Sequence, residues 1–412
     1  MRNLAEQMPK MLMGKELEEA MVSLPPYDPR ICDADAAARL MALNDIAEIY
    51  IPSQMSLEIY SKIYLAMLHS LKKKQTVDAV RQGNQNHRRL QGLNYNSVLG
   101  GADSFSIIGP SGIGKSTALA KSIALSGGER IITTNNPYAQ IIPCVNVQCP
   151  HDCSVKGLLL EILSQVDMAI GTNYEQLAVK NRASIDNLIG TVSQVALNNI
   201  LLIVIDECQN ICRNRNGVNL VASMTQLINS SGVAICMVGL PETEYFFSQE
   251  MQLARRSVGL SYSALSCDGY FISLCEKLFT YQYVACPCSP TPEIIELLYE
   301  CTGGIIAILV SLIMEAQQIA ILTGKEELSK ETILLAYRQR LKNVQDFVKV
   351  KPVKKKQTST FRGKAVMEIP ESGTDTEQGV TIAGIMEQAG EKGGGTAEVL
   401  REYGIMVEEV AV

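Results

Sequence analysis

Short, unbroken apolar runs alternate with segments of helical periodicity through the middle of this chain. The runs are "FSIIG", "IIPCVNVQC", "NILLIVIDE" and "GVAICMVG", and the segments between them include "KSTALAKSIALS", "SVKGLLLEILSQV" and "NLVASMTQLINS". Strands that are apolar on both faces and separated by helices form a parallel sheet covered on both sides. We therefore predict a three-layer α/β domain over residues 46–260, with a helical extension at 46–100.

Helical patterns without strands flank the predicted sheet. "IPSQMSLEIYSKIYLAMLHSLKKK" has apolar residues at helical spacing and ends in three lysines, whose charge suits a helix C-terminus. The polar stretch after it, "RQGNQNHRRLQGLNYNSVLGG", is expected to be a loop. Residues 1–45 are predicted to be an extended N-terminal arm with a proline-rich break followed by a helical stretch, and residues 261–346 a small all-α lid.

The last segment, residues 347–412, has the segregated charge and low complexity typical of disorder. Its first part, "VKVKPVKKKQTSTFRGK", is basic, and the remainder is mostly acidic. Two stretches within it, "VTIAGIMEQAG" and "TAEVLREYGIMVEEV", have the pattern of short amphipathic peptides. We predict a disordered tail, and the pattern leaves open whether these peptides stay solvated or dock on a partner protein.

Composition narrows the class of protein. Of the 412 residues 47% are hydrophobic, which is ample for a packed core, and the formal net charge is -6. A negative chain is not a general polyanion binder, so any contact with nucleic acid requires a local basic surface. The N-terminal residues carry frequent charges, and the apolar stretch at 303–316 is too short to span a bilayer. We therefore expect a soluble cytoplasmic protein with no membrane partner.

The chain has 12 cysteines, and two groups of them suggest a metal site. Cys144, Cys149 and Cys153 lie near His151, and a Cys-Pro-Cys sequence follows at 286–288. Neither spacing is that of paired zinc knuckles. We expect free core or loop thiols, with zinc as the alternative.

The segment "GPSGIGKS" indicates a phosphate-binding loop. It follows an apolar strand and opens a helix, so backbone N–H groups and the helix N-terminus can surround phosphate. Lys115 is expected to reach the β- and γ-phosphates, and the Ser116 hydroxyl to bind Mg²⁺. The predicted nucleotide-binding residues are Gly109, Pro110, Ser111, Gly112, Ile113, Gly114, Lys115, Ser116 and Thr117.

An apolar strand that ends in two carboxylates, "LLIVIDECQN", supplies the acidic half of the site. Asp206 is expected to hold the metal, directly or through water, and Glu207 to polarise the water that attacks the γ-phosphate. The pair favours hydrolysis over nucleotide storage and predicts a Mg²⁺-dependent ATPase. ATP is favoured over GTP because the guanine-reading sequence Asn-Lys-x-Asp does not occur.

Two adjacent arginines, Arg255 and Arg256, follow the last predicted strand in "EMQLARRSVGL". A guanidinium can bind two phosphate oxygens at once, so either residue could reach the γ-phosphate in a neighbouring subunit. A surface ion pair is the alternative. The sequence does not separate the two arginines.

Taken together, these motifs resemble the TnsC/TniB branch of AAA+ ATPases, the regulators of Tn-seven-like and CRISPR-associated transposons. The resemblance covers about residues 50–341, and "IYIPSQMSLEIYSKIYLAM", "CPHDCSVKGLL" and "VGLPE" point to this branch. It implies an ATP-bound ring or helical filament that encircles double-stranded DNA. It further implies that the assembly links a TniQ/TnsD-like target selector to transposase subunits, with the tail as the transposase contact, and that hydrolysis disassembles it.

Two departures from the family pattern indicate slow turnover. At the end of the fourth core strand, Gly239 and Leu240 precede Thr243, so the usual polar residue is not evident. After "TGG" in the lid, Ile305–Ala307 stand where the family has an arginine that reaches phosphate. A slow ATPase that acts as a timed clamp fits this pattern better than a motor.

The resemblance also suggests where DNA and adenine bind. Ser154 is a plausible N-cap that places Lys156 in a first helical turn, where a cation opposes the macrodipole unless a phosphate lies nearby. Lys156 is therefore the main candidate for a DNA-backbone contact, and Thr172 and Asn173 in a nearby loop are weaker ones. Ile51, between Tyr50 and Pro52, resembles the apolar wall over adenine. A lysine without a role and ordinary core packing are the alternatives.

Two other classes of ATPase share these motifs. A replication or helicase-loader ATPase would separate strands or bind a helicase, whereas the acidic tail fits transposase docking more readily. A STAND-like signalling ATPase would carry repeat arrays after the lid, and no repeat period is visible in this sequence.

Overall fold

The computed structural model describes residues 4–94, 104–133, 140–244 and 259–345. Arg255, Arg256 and the whole of 347–412 lie outside these ranges, so the predicted arginine finger and tail stay predictions. The segment predicted as an extended arm contains helices α1 (Gly14–Met21) and α2 (Ala36–Ala42). It also contains 3-10 turns at Leu4–Gln7, Pro29–Asp33 and Leu43–Glu48.

Two long helices precede the sheet. Helix α3 (Gln54–Lys74) has the predicted extent, begins at a capping box of Ser53 and Ser56, and ends in the three lysines. Helix α4 (Val77–Leu90) occupies much of the stretch predicted to be a loop, so that prediction is wrong.

The reason for the error is that α4 buries polar side chains. Gln82 and Asn86 are 0% and 1% exposed, and Gln82 Nε2 donates to Asn86 Oδ1 at 2.9 Å. Asn86 Nδ2 in turn donates to the carbonyl of Ser230 at 2.8 Å. Thr76 caps the helix by accepting from the Ala79 amide. The interior face of α4 is thus amide-rich, and an apolar periodicity cannot reveal it.

The central part of the chain alternates strands and helices as predicted. In chain order these are β1 (Phe105–Ile108), α5 (Lys115–Leu125), β2 (Ile132–Thr133), β3 (Gln140–Gln148), α6 (Val155–Ile170), α7 (Tyr174–Lys180), α8 (Ile185–Asn199), β4 (Ile200–Asp206), α9 (Gln209–Arg213), α10 (Gly217–Ser231), β5 (Ala234–Gly239) and β6 (Leu260–Ser261).

These strands form a six-stranded sheet in the order β2-β3-β4-β5-β1-β6. All neighbours are parallel except β2 and β3. The register pairs Ile108 with Gly239 and Gln148 with Asp206. The carboxyl ends of the central strands therefore meet at one edge, where ligands of parallel sheets bind.

Apolar clusters fill both faces of the sheet. One cluster joins the sheet to α6, α8 and α10, and the other joins it to α1, α3 and α5. The predicted three-layer α/β fold is therefore confirmed, with β4 buried on both sides.

The lid consists of α11 (Gly269–Leu278), α12 (Pro292–Thr302), α13 (Ile306–Thr323), α14 (Lys330–Arg340) and α15 (Lys342–Gln345). Among the helices of the described residues, α13 has the length and the apolar composition that would allow it to cross a membrane. Eight of its residues, among them Leu309, Leu312 and Ile313, are buried in the apolar core of the lid.

The N-terminal segment packs on both the sheet domain and the lid. Met8, Leu17 and Met21 join the cluster around α3, whereas Leu43 and Ile46 join the core of the lid. A short antiparallel bridge between Ser23 and Tyr50 ties the two parts of the segment together. Its apolar residues are buried in these two cores, which explains why it is not an extended arm.

Candidate nucleotide site

The phosphate loop lies between β1 and α5 and depends on its glycines. Gly112 and Gly114 have φ of 79° and 94°, the left-handed region that side chains disfavour. At Gly109 a Cβ would lie 2.7 Å from the Cδ1 of Ile113 and 3.0 Å from the Tyr262 carbonyl oxygen, so a side chain there would force its neighbours to move. The loop therefore takes the shape in which its N–H groups can face a phosphate.

Lys115 opens α5 and is 9% exposed. Its Nζ donates to the carbonyls of Gly109 and Pro110 at 2.7 and 2.8 Å. Burial lowers the pKa of Lys115, and the nearby Asp206 and Glu207 carboxylates oppose that shift. The two halves of the predicted site are thus electrostatically coupled.

Asp206 ends β4, and Glu207 follows it with a left-handed φ of 58°. The Glu207 amide donates to Asp206 Oδ1 at 2.8 Å, which stabilises this unusual backbone. The Glu207 side chain is exposed, and its Oε2 accepts from Nε2 of Gln209. The sharp turn separates the two carboxylates and gives them different surroundings.

A cavity of about 700 Å³ brings these groups together. The predicted nucleotide residues that line it are Ile51, Ser111, Gly112, Ile113, Gly114, Lys115, Ser116, Thr117, Asp206 and Glu207. Gly109 and Pro110 support the loop from outside the lining. Lys156, Thr172 and Asn173 do not line the cavity.

One end of the cavity is apolar and joins the N-terminal segment to the lid. Its apolar lining includes Ile49 and Ile51 together with Leu274, Leu278 and Val310 of the lid. The backbone of Ile51 is held by the Tyr270 hydroxyl, which donates to its carbonyl at 2.9 Å. This end suits a flat aromatic base, whereas the loop end suits phosphates. Pro52, predicted beside Ile51, does not line the cavity.

The lid contacts the phosphate loop through the segment Ile305–Ala307. The Ala307 amide donates to the Gly112 carbonyl at 2.9 Å. A Cβ on Gly112 would lie 3.0 Å from both Ala307 Cβ and Ile305 Cγ2. Ile305 and Ala307 therefore lie against the loop, and Ile306 and Ala307 line the cavity.

The end of β5 carries a buried hydroxyl. Thr243 is 0% exposed, and its Oγ1 would lie 2.7 Å from a Cβ on Gly239. Gly239 and Leu240 line the cavity, but Thr243 does not.

The residues present fit a magnesium ion. Ser116 lies in the first turn of α5 and Asp206 at the end of β4, and both line the cavity beside Lys115. A hydroxyl and a carboxylate are oxygen ligands of the kind that Mg²⁺ uses together with phosphate oxygens. Ser116 and Asp206 would hold the ion between loop and acid pair.

The predicted DNA contacts lie at opposite ends of α6. Ser154 caps this helix by accepting from the Gly157 amide at 3.1 Å, and Lys156 is exposed in its first turn. The Thr172 hydroxyl, beyond the other end, donates to Asp167 Oδ1 at 2.6 Å. Sixteen residues of helix correspond to roughly 24 Å, so the structure does not bring Lys156 and Thr172 together. Asn173 is exposed just before α7.

Lys74 and the cysteines considered as metal ligands make contacts that belong to the packing of the fold. Lys74 Nζ donates to the carbonyls of Ala196 and Leu197, both at 2.5 Å, at the end of α8. Within the described ranges no three His, Cys, Asp or Glu side chains are placed to hold a metal ion. Cys149 and Cys153 are buried, and burial raises the pKa of both thiols.

Sequence reasoning missed several residues of the site. Gln209 lines the cavity and contacts Glu207, and its position two residues after the acid pair in "DECQN" was a visible signal. The apolar lining from the lid, such as Tyr270 and Val310, carries no local motif and could not be found without the tertiary fold.

Residues 61–261 match the family model described as "Bacterial TniB protein". No curated protein matches the chain.

Three solved structures illustrate the structural similarity, all at low sequence identity. ORC1 of Aeropyrum pernix, in a complex with DNA, is 15% identical at a TM-score of 0.40, over 65% of each chain. Drosophila ORC bound to DNA is 10% identical at a TM-score of 0.42, over 99% of this chain and 86% of that one. Domain III of Thermotoga maritima DnaA is 14% identical at 0.36, over 77% of this chain and 100% of that one. The chain thus spans just under two thirds of the ORC1 protein.

The family match extends from within α3 to β6, so it includes the phosphate loop, the acid pair and all six strands. Residues 61–261 thus match the TniB family model, and this match confirms the predicted resemblance to TnsC/TniB-type AAA+ ATPases over that part of the chain.

Proposed function

We propose that this protein is an ATP-dependent regulator of DNA transposition that assembles on double-stranded DNA and couples target selection to transposase recruitment. The observation that carries the proposal is a TniB-family domain whose phosphate loop and acid pair line a single cavity. Hydrolysis then serves to disassemble the oligomer. A replication loader or a signalling ATPase has no comparable support from the family match.

The residues of the cavity have distinct roles in the proposed reaction. Bound ATP with Mg²⁺ supplies the reactive γ-phosphate. The loop amides and Lys115 neutralise its charge, and Ser116 and Asp206 hold the metal ion. Glu207, beyond the metal-binding carboxylate, orients and polarises the attacking water. The apolar end at Ile51 excludes water from around the base.

Slow hydrolysis follows from the lid contact. Ile306 and Ala307 touch the phosphate loop without offering a guanidinium, so the lid adds no side-chain positive charge there. Losing one such arginine removes an electrostatic stabilisation of the transition state. We infer a timed clamp rather than a motor.

Assembly is proposed to depend on residues that reach beyond one subunit. Arg255 or Arg256 would complete a neighbour's site, so ATP binding and oligomerisation would reinforce each other. Lys156, exposed at the start of α6, would contact DNA phosphates, with Thr172 and Asn173 as secondary contacts. Such contacts do not read sequence, in keeping with a protein that leaves target choice to a partner.

Two kinds of partner protein are proposed. Residues 347–412 would dock on transposase subunits, and a TniQ/TnsD-like protein would select the target. The protein would act in the cytoplasm, in solution. Deleting residues 347–412 should abolish transposase binding while ATPase activity and DNA binding persist.

The proposal is tested with purified protein, duplex DNA and nucleotide. Glu207→Gln should bind ATP, fail to hydrolyse it and form long-lived oligomers on DNA, seen as rings or spirals by electron microscopy. Lys115→Ala serves as the control, because it should neither bind ATP nor assemble. A wild-type protein that stays monomeric on DNA with a non-hydrolysable ATP analogue contradicts the proposal, as does full hydrolysis by Glu207→Gln.

A further inference from the structure

The carboxylate of Glu207 is held by a side chain two residues later. Nε2 of Gln209 donates to Oε2 of Glu207, and both residues line the nucleotide cavity. Glu207 itself projects from a left-handed turn, and its side chain is exposed. An exposed carboxylate on a sharp turn has several rotamers available, so a fixed donor decides which orientation it takes.

Gln209, in contrast, is immobilised by its surroundings. It is 9% exposed and is the first residue of α9. The residues on either side of it, Cys208 and Asn210, are hydrogen-bonded to the ends of the strands β5 and β3. The Cys208 amide donates to the Val238 carbonyl at 2.9 Å, near the end of β5. On the other side, Asn210 Nδ2 donates to the Cys149 carbonyl at 3.0 Å, just beyond β3.

A third anchor lies at the end of α9. Arg213 Nη2 pairs with Glu242 Oε1 at 2.6 Å, in the segment that follows β5. The short helix is therefore held at its first and its last residues. The position of the Gln209 amide is set by the sheet rather than by the loop that carries Glu207.

This arrangement has a consequence for water activation. A carboxylate has two oxygens, and an amide bound to Oε2 fixes the plane of the group and leaves Oε1 to accept from a water. A general base must lie within about 2.6–3.2 Å of the proton-bearing oxygen, and small misplacements are costly. Orientation of Glu207 therefore contributes directly to the rate of hydrolysis.

We propose that Gln209 is a positioning residue that orients the Glu207 carboxylate for water activation in ATP hydrolysis. The inference rests on the proposed function, since it assigns a helper to the same reaction. It gives Gln209 no contact with phosphate and no part in binding ATP.

Gln209→Met tests this, because methionine keeps the length of the side chain and removes the amide. The kcat for ATP hydrolysis should fall at least about tenfold, a part of the roughly 10²–10⁴-fold that a positioned general base contributes, while KM and the affinity for a non-hydrolysable analogue stay unchanged. Gln209→Glu should lose at least as much, since it cannot donate and adds a like charge beside Glu207. Gln165→Met is the matched control and should retain most of the activity, because Gln165 Nε2 also donates to a carboxylate, Glu161 Oε1 at 2.9 Å, but neither residue lines the cavity.

A double-mutant cycle separates orientation from general damage. In a Glu207→Gln background, Gln209→Met should cause no further loss of the residual rate. An unchanged or increased kcat for Gln209→Met overturns the inference, and so does an equal loss in the Glu207→Gln background. Thermal unfolding of each variant identifies any failure to fold, and Gln209→Glu then provides the same comparison. If Glu207→Gln is as active as wild type, it is the proposed function that fails instead.

Discussion

Arg39 and Glu326 form a two-pronged ion pair that joins the N-terminal segment to the lid. Arg39 Nη1 lies 2.5 Å from Glu326 Oε2, and Nη2 lies 2.8 Å from Oε1. Nη1 also donates to the Tyr283 carbonyl at 3.1 Å, and Oε2 accepts from the Ala285 amide. The Arg39 side chain is 7% exposed, so the pair is largely removed from water.

Replacing Arg39 with alanine should lower the free energy of unfolding by about 3 kcal/mol, because Glu326 would keep a largely buried charge without its partner. The low end of the usual range applies since the Glu326 side chain is 23% exposed. Arg30→Ala is the control, because Arg30 pairs with Asp28 at the surface and water screens that pair. Urea denaturation measures both, and equal losses would contradict a special role for Arg39.

The same pair predicts a pH dependence. The hydrogen bonds that Glu326 accepts from Arg39 lower the pKa of the Glu326 carboxyl below its usual value of 4.5. A lowered folded pKa stabilises the protein fully above the unfolded value, and this contribution is lost as the pH falls through the folded one. The stability difference between wild type and Arg39→Ala should therefore shrink below about pH 4.5.

Gly112→Ala should impair both the loop and the lid. An added Cβ would lie 3.0 Å from Ile305 and Ala307, at a φ of 79°. We expect at least tenfold weaker ATP binding and a lower melting temperature. Gly171→Ala is a matched control, since its φ is 70° but nothing lies within 4 Å of the added Cβ. Its cost should be about 1 kcal/mol of backbone strain without any effect on ATP. Equal ATP affinities for the two variants would argue against the loop–lid contact.

Lys74 should impose an alkaline pH dependence on stability. Burial lowers its pKa from 10.5 to about 7. Between these values the unfolded chain binds the proton more readily, so the free energy of unfolding should rise with pH across this window. Lys74→Met should flatten that slope, whereas Lys72→Met, at an exposed position in the same turn, should leave it unchanged. An identical slope in Lys74→Met would contradict the lowered pKa.

Lys156→Ala should weaken binding to duplex DNA and reduce the slope of log affinity against log salt by about 1, the value for one lost phosphate contact. It should also stabilise α6 slightly, because a cation at a helix N-terminus is unfavourable. Lys180→Ala, exposed in the last turn of α7, is the control and should leave the salt slope intact. Unchanged binding by Lys156→Ala would refute the contact, and the rise in stability shows independently that the substitution acts at the helix start.

Local patterns were sufficient for the sheet and the phosphate loop. Strands such as β4 are apolar throughout, and the loop glycines have positive φ because few other residues adopt that conformation. The same rules failed at α4, where Gln82 and Asn86 replace the apolar stripe with a buried amide network. Periodicity detects apolar burial and does not detect polar burial that is fully hydrogen-bonded.

Contacts between residues that are distant in the chain could not be predicted from the sequence, for a different reason. At Ile305 and Ala307 the sequence shows only that no arginine is present. That both residues pack on Gly112 is visible only in the fold. Likewise Arg39 and Glu326 have no local signature that would pair them. Such contacts depend on where the chain returns, which propensity and capping rules do not determine.

The hydrogen bond from Ala307 to Gly112 makes one amide proton a reporter of the whole site. Whenever lid and loop separate, that proton meets solvent, and while they stay together it is shielded. Its rate of exchange with deuterium, followed by mass spectrometry of peptides covering the start of α13, thus measures how often the cleft opens, without any substitution in the protein.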